Sequence, residues 1–111
     1  MTVVQMKNAL MSLIGQKVIL AETIHDYVQL RFELTSVLSI FNRCRFITVS
    51  DTNPGISVLA GASLQNIDFA DKFMTLRFDR CDVEIGIGDN DFVGPEAMTL
   101  ALPDGSIFAW T

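Results

Sequence analysis

Apolar and polar residues alternate with two different periods along this chain, and the change of period marks its elements. Val3, Met6, Leu10 and Leu13 recur at three- and four-residue spacing, one stripe of an amphipathic helix. Thr2 is placed to cap that helix and Gly15 to end it. A competing reading starts a strand at residues 10–14, because they align with Ile56 to Ala60 in the repeat described below. From Lys17 the period becomes two. Val18 to Thr23 reads as a strand, His25-Asp26 as a turn, and Tyr27 to Leu34 as the returning strand. Along that second strand Val28, Leu30, Phe32 and Leu34 point one way and Tyr27, Gln29, Arg31 and Glu33 the other, as a half-buried antiparallel strand requires. Val37 to Phe41 is apolar on both faces, Asn42-Arg43 turns the chain into Cys44 to Val49, and Asn53-Pro54-Gly55 is a turn.

The plan is then written a second time. Leu59 to Ile87 lies over Leu13 to Phe41 at a constant offset of 46 residues, with Gly61 on Gly15, Leu76-Arg77-Phe78 on Leu30-Arg31-Phe32, and Val83 on Val37. Ser63 to Phe69 and Phe73 to Asp79 are the predicted hairpin, with Met74, Leu76 and Phe78 inward, followed by Asp82 to Ile87. Met98 to Leu102, the Pro103-Asp104-Gly105 turn and Ile107 to Trp110 form a closing hairpin. The expectation is a mainly β protein: an antiparallel β-sandwich or flattened barrel built from two similar hairpin repeats, with a short N-terminal helix. All 111 residues are expected in one domain, with repeat one at about 13–41, repeat two at about 59–87 and the closing hairpin at 97–110.

Half of the residues are hydrophobic and 19% are charged, the balance of a folded, core-rich chain. No apolar run approaches the roughly 18 residues of a membrane span. Met1 to Leu13 lacks the charged start and small-residue cleavage site of a secretory signal, so a cytoplasmic location is expected. Cys44 and Cys81 make no metal spacing and read as two reduced thiols. The net charge of −5 argues against nucleic acid, whose binders carry a basic footprint. It is unevenly spread: residues 1–50 carry five bases and three acids, whereas residues 51–111 carry three bases and ten acids.

Candidate chemistry is sparse, and the expectation is a protein that is not an enzyme and needs no cofactor or metal. The lone His25 sits beside Asp26 in a predicted exposed turn, with no nucleophile placed near it. Asp89-Asn90-Asp91 with Glu96 lacks the spacing and central glycine of a calcium loop. Gly86 and Gly88 precede no helix and so form no phosphate cradle; a bulge or a close backbone approach suits them better.

The acidic stretch is what remains. Asp79, Asp82, Glu84, Asp89, Asp91 and Glu96 accompany one base, Arg80. With a turn at Arg80-Cys81, Phe78 is expected opposite Val83, Arg77 opposite Glu84, and Asp79 opposite Asp82, where like charges cost about 0.2–1 kcal/mol. The equivalent outward positions of the first copy are Glu33, Ser36, Leu38 and Ile40. One copy is therefore expected to show an acidic, exposed surface and the other an apolar, covered one. A solvated surface that keeps the domain soluble is the plain reading of such acids. The functional reading is a docking face that steers a basic protein. Phe92 is the expected apolar anchor within its rim, with Phe73 and Tyr27 as further candidates.

The leader into Leu-Ile-Gly (13–15), the hairpins carrying Leu-Arg-Phe, Gly-Pro-Glu-Ala (94–97), and the closing Pro-Asp-Gly (103–105) with Trp110 resemble small bacterial β proteins. Among these are immunity proteins of toxin–immunity pairs of the contact-dependent growth inhibition type. The resemblance implies a non-catalytic cytosolic antidote that covers the active site of a cationic toxin domain, commonly a nuclease. Two other classes remain: a ligand-binding sandwich with a pocket between the repeats, and a homo-oligomer that pairs exposed strands such as Ile107 to Trp110.

Overall fold

The computed structural model describes residues 3–48 and 55–111. Helix α1 (Val3–Met11) leads into β1 (Val18–Ile24), β2 (Tyr27–Phe32), β3 (Val37–Ile40) and β4 (Cys44–Ile47). A 3-10 turn (Ile56–Leu59) precedes β5 (Leu64–Phe69), β6 (Phe73–Phe78) and β7 (Asp82–Gly86), and a second one (Asp89–Asp91) precedes β8 (Met98–Ala101) and β9 (Ile107–Trp110). Thr2 as helix cap, the Asn53-Pro54 part of the expected turn, and Val49 at the expected end of β4 lie outside the described residues. The stripe that predicts α1 is the one that buries: Met6, Leu10 and Leu13 are shut off from solvent. The alternative strand start at residues 10–14 does not form, and its partner Ile56–Leu59 is likewise a helical turn.

All ladders are antiparallel, in a five-stranded sheet of order β1-β2-β3-β8-β9 and a four-stranded sheet of order β4-β7-β6-β5. They pack as a sandwich and do not close into a barrel. The core between them holds Leu30, Phe32, Leu38 and Ile40 from one sheet and Met74, Leu76, Val83 and Ile85 from the other, all essentially inaccessible. Each such side chain contributes about 1.5–3 kcal/mol of burial free energy. α1 packs on β9. At that margin Lys7 sits over the Phe69 ring, 5.0 Å from its centroid, and Phe69 stacks on Trp110 at 6.2 Å.

The repeat is visible in the hydrogen bonds. Gly15 N donates to Leu64 O at 2.7 Å and its counterpart Gly61 N donates to Val18 O at 2.8 Å. Val18 N donates to Ala62 O at 2.8 Å and Leu64 N to Gln16 O at 2.9 Å. Each bond maps onto the other under the same offset, so the copies are related by a local two-fold axis. Both glycines hold a left-handed backbone, at φ 93° and 85°. The β-irregularity between Val18 and Leu20 recurs between Leu64 and Asn66.

Two features depart from a simple tandem. First, the copies exchange their fourth strands. β4 follows β3 in sequence but pairs with β7, while β8 follows β7 but pairs with β3. Asn42 sits at the crossing, buried, with Nδ2 donating to Gly86 O at 2.8 Å.

Second, the offset of 46 does not run unbroken to Phe41. Arg77 lies opposite Asp82, Leu76 opposite Val83, and Thr75 opposite Glu84. The expected pairs Phe78–Val83, Arg77–Glu84 and Asp79–Asp82 therefore do not form. Phe78 N donates to Cys81 O, so the turn is centred on Asp79-Arg80 and Asp79 leaves the ladder. The first copy spends one residue more, with Phe32 N donating to Ser36 O and Thr35 in a left-handed conformation. Val37 thus corresponds to Asp82, not Val83, and Leu38 and Ile40 correspond to the inward Val83 and Ile85. Those two residues were expected outward; they are core, and Val37 and Ser39 take the outer positions.

Both thiols are free, Cys44 half-buried and Cys81 buried. Cys44 lies opposite Ile85, four residues beyond Cys81 along the chain. At about 3.3 Å per residue, that spacing exceeds the roughly 7 Å a disulfide can bridge.

Candidate functional site

Residues opposite each other in a ladder project to the same face, so the register defines both outer surfaces. On the four-stranded sheet the rows are Asn66, Arg77, Asp82 and Ile47, then Asp68, Thr75, Glu84 and Arg45. The charges in these rows satisfy one another. Arg77 donates through Nε to Asp68 and through Nη1 to Asp82 Oδ2 at 2.9 Å, and Arg45 Nη2 donates to Glu84 Oε1 at 2.7 Å. The hydrogen bond to Asp68 is the main reason the Arg77 guanidinium holds its proton even more firmly than usual.

The remaining acids of the sequence cluster are also engaged or apart. Asp79 Oδ1 accepts from Ser63 N at 3.0 Å, the counterpart of Glu33 Oε1 accepting from Lys17 N at 3.1 Å. Asp91 Oδ2 accepts from Gly88 N at 3.1 Å, and its carboxyl fills the space a Cβ on Gly86 would occupy, only 2.5 Å from Asp91 Cγ. A close approach at Gly86 is thus present, but to a side chain and not to a second backbone. Asp89 is exposed beside Asp91, and Phe92 is half-buried against the core. Asp79 and Asp82 lie at the start of β7 and Asp91 at its far end, about 13 Å away at strand rise. Of the seven expected partner-binding residues, the structure joins Asp82 and Glu84 on one ion-paired face and leaves Asp79, Asp89, Asp91, Phe92 and Glu96 elsewhere.

The outer face of the five-stranded sheet is different. Its rows are Leu20, Arg31, Val37, Ala101 and Ile107, then Glu22, Gln29, Ser39, Thr99 and Ala109, then Ile24, Tyr27 and Phe41. Only Arg31 and Glu22 are charged. No described element lies over this face, and Ile107 and Leu20 at its margins are 65% and 42% exposed. Of the positions expected on a covered outer surface, Ser36, Leu38 and Ile40 are buried, the last two because they face the core; the actual outer face is exposed at Leu20 and Ile107 and closed only around Ser39.

One end of that face falls into a cleft of about 190 Å³. Tyr27 opens β2 on the outer side, and Phe41 continues β3 on the same side; their rings lie 5.0 Å apart at 50° and form the floor. Asp26 borders the cleft from the β1–β2 turn, which His25 closes in a left-handed conformation at φ 56°. The opposite wall is Val93-Gly94-Pro95 with Glu96. That segment is held in place by Ala97 O, which accepts from Phe41 N at 2.8 Å and from Asn42 N at 3.1 Å. Among the described residues neither Asp26 nor Glu96 has an ion-pair partner, and no cationic side chain lines the cleft. In the sequence Glu96 and Tyr27 stand out as separate candidates and Asp26 and Phe41 do not stand out as site residues. The predicted turn at His25-Asp26 is the local signal that the sequence carries.

A second depression, of about 200 Å³ between Ile47, Phe78 and Asp82, is bordered by its own cation, Arg80, whose Nη1 donates to Ala60 O at 2.8 Å. His25 is exposed. Among the described residues no group of three or more His, Cys, Asp or Glu side chains converges to hold a metal. Among the described residues no helix is long and apolar enough to cross a membrane. Comparison with known proteins found no matching family model, curated protein or solved structure.

Proposed function

We propose that this chain is a non-catalytic binding protein that covers a basic surface of a protein partner, in the manner of an immunity protein occluding a toxin domain. The observation that carries this reading is the outer face of the five-stranded sheet: broad, uncovered, nearly free of charge, and ending in a cleft with two unpaired carboxylates. A protein interface depletes charge at its centre, and the central Val37, Ser39, Thr99 and Ala101 of this face carry none, while the exposed Leu20 and Ile107 at its margins add apolar area. The net charge of −5 steers a cationic partner toward the molecule, an effect that salt weakens. The ion-paired face of the four-stranded sheet is a poorer candidate, because a partner there would have to break or desolvate existing salt bridges.

Inhibition in this reading is stoichiometric cover, without a chemical step. The test is capture of a basic protein from lysate of the source organism on wild type and on two sets of variants. Thr99→Arg with Ile107→Arg should abolish salt-sensitive, one-to-one retention, whereas Asp82→Asn with Glu84→Gln, which shifts the net charge by the same two units, should leave it largely intact. Retention that survives the first pair and fails with the second would return the site to the acidic sheet. Light scattering on the free chain gives a further check. A stable dimer that Thr99→Arg dissociates would assign the face to a second copy and overturn the proposal.

A further inference from the structure

We infer that the cleft between the β1–β2 turn and residues 93–96 is a receptor for one arginine side chain of the partner, with the guanidinium seated on the Tyr27–Phe41 floor between the Asp26 and Glu96 carboxylates. The inference rests on the binding function proposed above for its source of arginine, but the chemistry of the cleft is argued independently.

Three observations converge. The floor is aromatic, and a cation over an aromatic face is attracted by the ring quadrupole, with the planar guanidinium able to stack as well. The two walls bring a carboxylate each from segments distant in sequence, and neither carboxylate is neutralised by the protein itself. This contrasts with Asp68, Asp82 and Glu84, each of which already has an arginine. The size is the third. At about 190 Å³ the cleft falls below the ~300–1,000 Å³ of pockets for whole metabolites, and it suits a single side-chain head and part of its stem. A free metabolite would find little enclosure there, whereas a side chain delivered by a docked surface needs none beyond its own width. The cleft also adjoins the uncharged sheet face through Tyr27 and Phe41, so an arginine in it would lie at the rim of the interface, where a hydrogen-bonded charge orients the partner. Nearby charged and titratable groups include His25 on the turn, Arg43 two residues beyond Phe41, and Glu22 and Arg31 on the adjoining face. None of them lines the cleft.

The experiment is a titration of the full chain with N-acetyl-arginine amide, followed by two-dimensional NMR, with N-acetyl-citrulline amide as the uncharged isostere. Arginine amide should saturate in the millimolar range with shifts confined to Asp26, Tyr27, Phe41, Gly94 and Glu96, and citrulline amide should give none. Asp26→Asn with Glu96→Gln, which preserves shape, should weaken binding about tenfold or more, and Tyr27→Ala by a comparable factor. Equal shifts with citrulline amide, or no shift at these residues, would overturn the inference. So would spermidine binding more tightly than arginine amide, because the cleft would then serve a free amine. The titration needs no partner, so it reads the cleft even if capture from lysate fails. Conversely, capture that Thr99→Arg abolishes, together with a silent titration, would remove the arginine seat and keep the sheet face.

Discussion

Lys17 and Ser63 lie directly opposite each other in an antiparallel bridge, and each is the other's counterpart in the internal repeat. The local two-fold axis passes through this pair. Two carboxylates complete the bridge symmetrically: Glu33 accepts from Lys17 N, and Asp79 accepts from Ser63 N. Asp79 appears in the sequence as part of an acidic surface, but its geometry gives it a structural duty shared with Glu33.

Removing either carboxylate should therefore cost similar stability. Glu33→Ala and Asp79→Ala are each expected to lower unfolding free energy by about 1 kcal/mol, less than the ~1.5–3 kcal/mol of a buried charge-assisted bond because both groups are exposed. Urea unfolding with an unchanged m-value is the measurement. A severalfold difference between the two variants would sink their equivalence.

The two left-handed glycines of the repeat, Gly15 and Gly61, should not behave alike. Alanine at Gly15 carries only the backbone penalty of roughly 1–2 kcal/mol, since its Cβ meets no atom. At Gly61 the added Cβ also lies 3.3 Å from Arg80 Nη1, which is held on Ala60 O. Gly61→Ala should be the more destabilising in thermal melts, and combining it with Arg80→Ala should narrow the gap. Equal losses in the two single variants would mean that Arg80 yields freely.

Cys81 should make stability pH-dependent on the alkaline side. Burial first, and then the Asp82 and Asp79 carboxylates, push its thiol up to about 11. The folded chain thus keeps a proton that the unfolded chain releases near pH 8.5, so unfolding becomes progressively easier as pH rises from there toward 11. Below that window the contribution is complete. The urea midpoint of the wild type should fall more steeply than that of Cys81→Ala across this range. Parallel slopes would show that the thiol is not held protonated by the fold.

Much of the architecture was legible because burial imposes a period. Val28, Leu30 and Phe32 of β2 and Met74, Leu76 and Phe78 of β6 turn inward as written, β9 spans Ile107–Trp110 as expected, and the helix stripe of Met6, Leu10 and Leu13 buries; Leu34, expected inward, falls past the end of β2 in the turn and is 61% exposed. What a period cannot carry is the identity of a strand's neighbour. Nothing in Cys44–Ile47 or Met98–Ala101 announces that each will pair across the copies. The register at Asp79–Asp82 was misread for a related reason: alternation fixes which face a side chain takes, and a turn that sits one residue earlier slides every partner by two places without changing a face. The cleft was hidden because Asp26 and Glu96 meet only through the crossing of β3 and the segment before β8. Charge was legible as a total, but which acids were spent on arginines and amides was not.

The exchanged strands also constrain how this chain can be made. As synthesis proceeds, β3 forms its ladder with β2, yet its other edge has no partner until Met98–Ala101 has emerged. β4 likewise waits for β7, which finds its partner already made. The first half thus carries two strands with an unpaired edge, β3 and β4, until the second half supplies their partners, the condition under which nascent β proteins mispair with their neighbours. Folding is thus deferred to the last strands, and the two halves must reach the native state together.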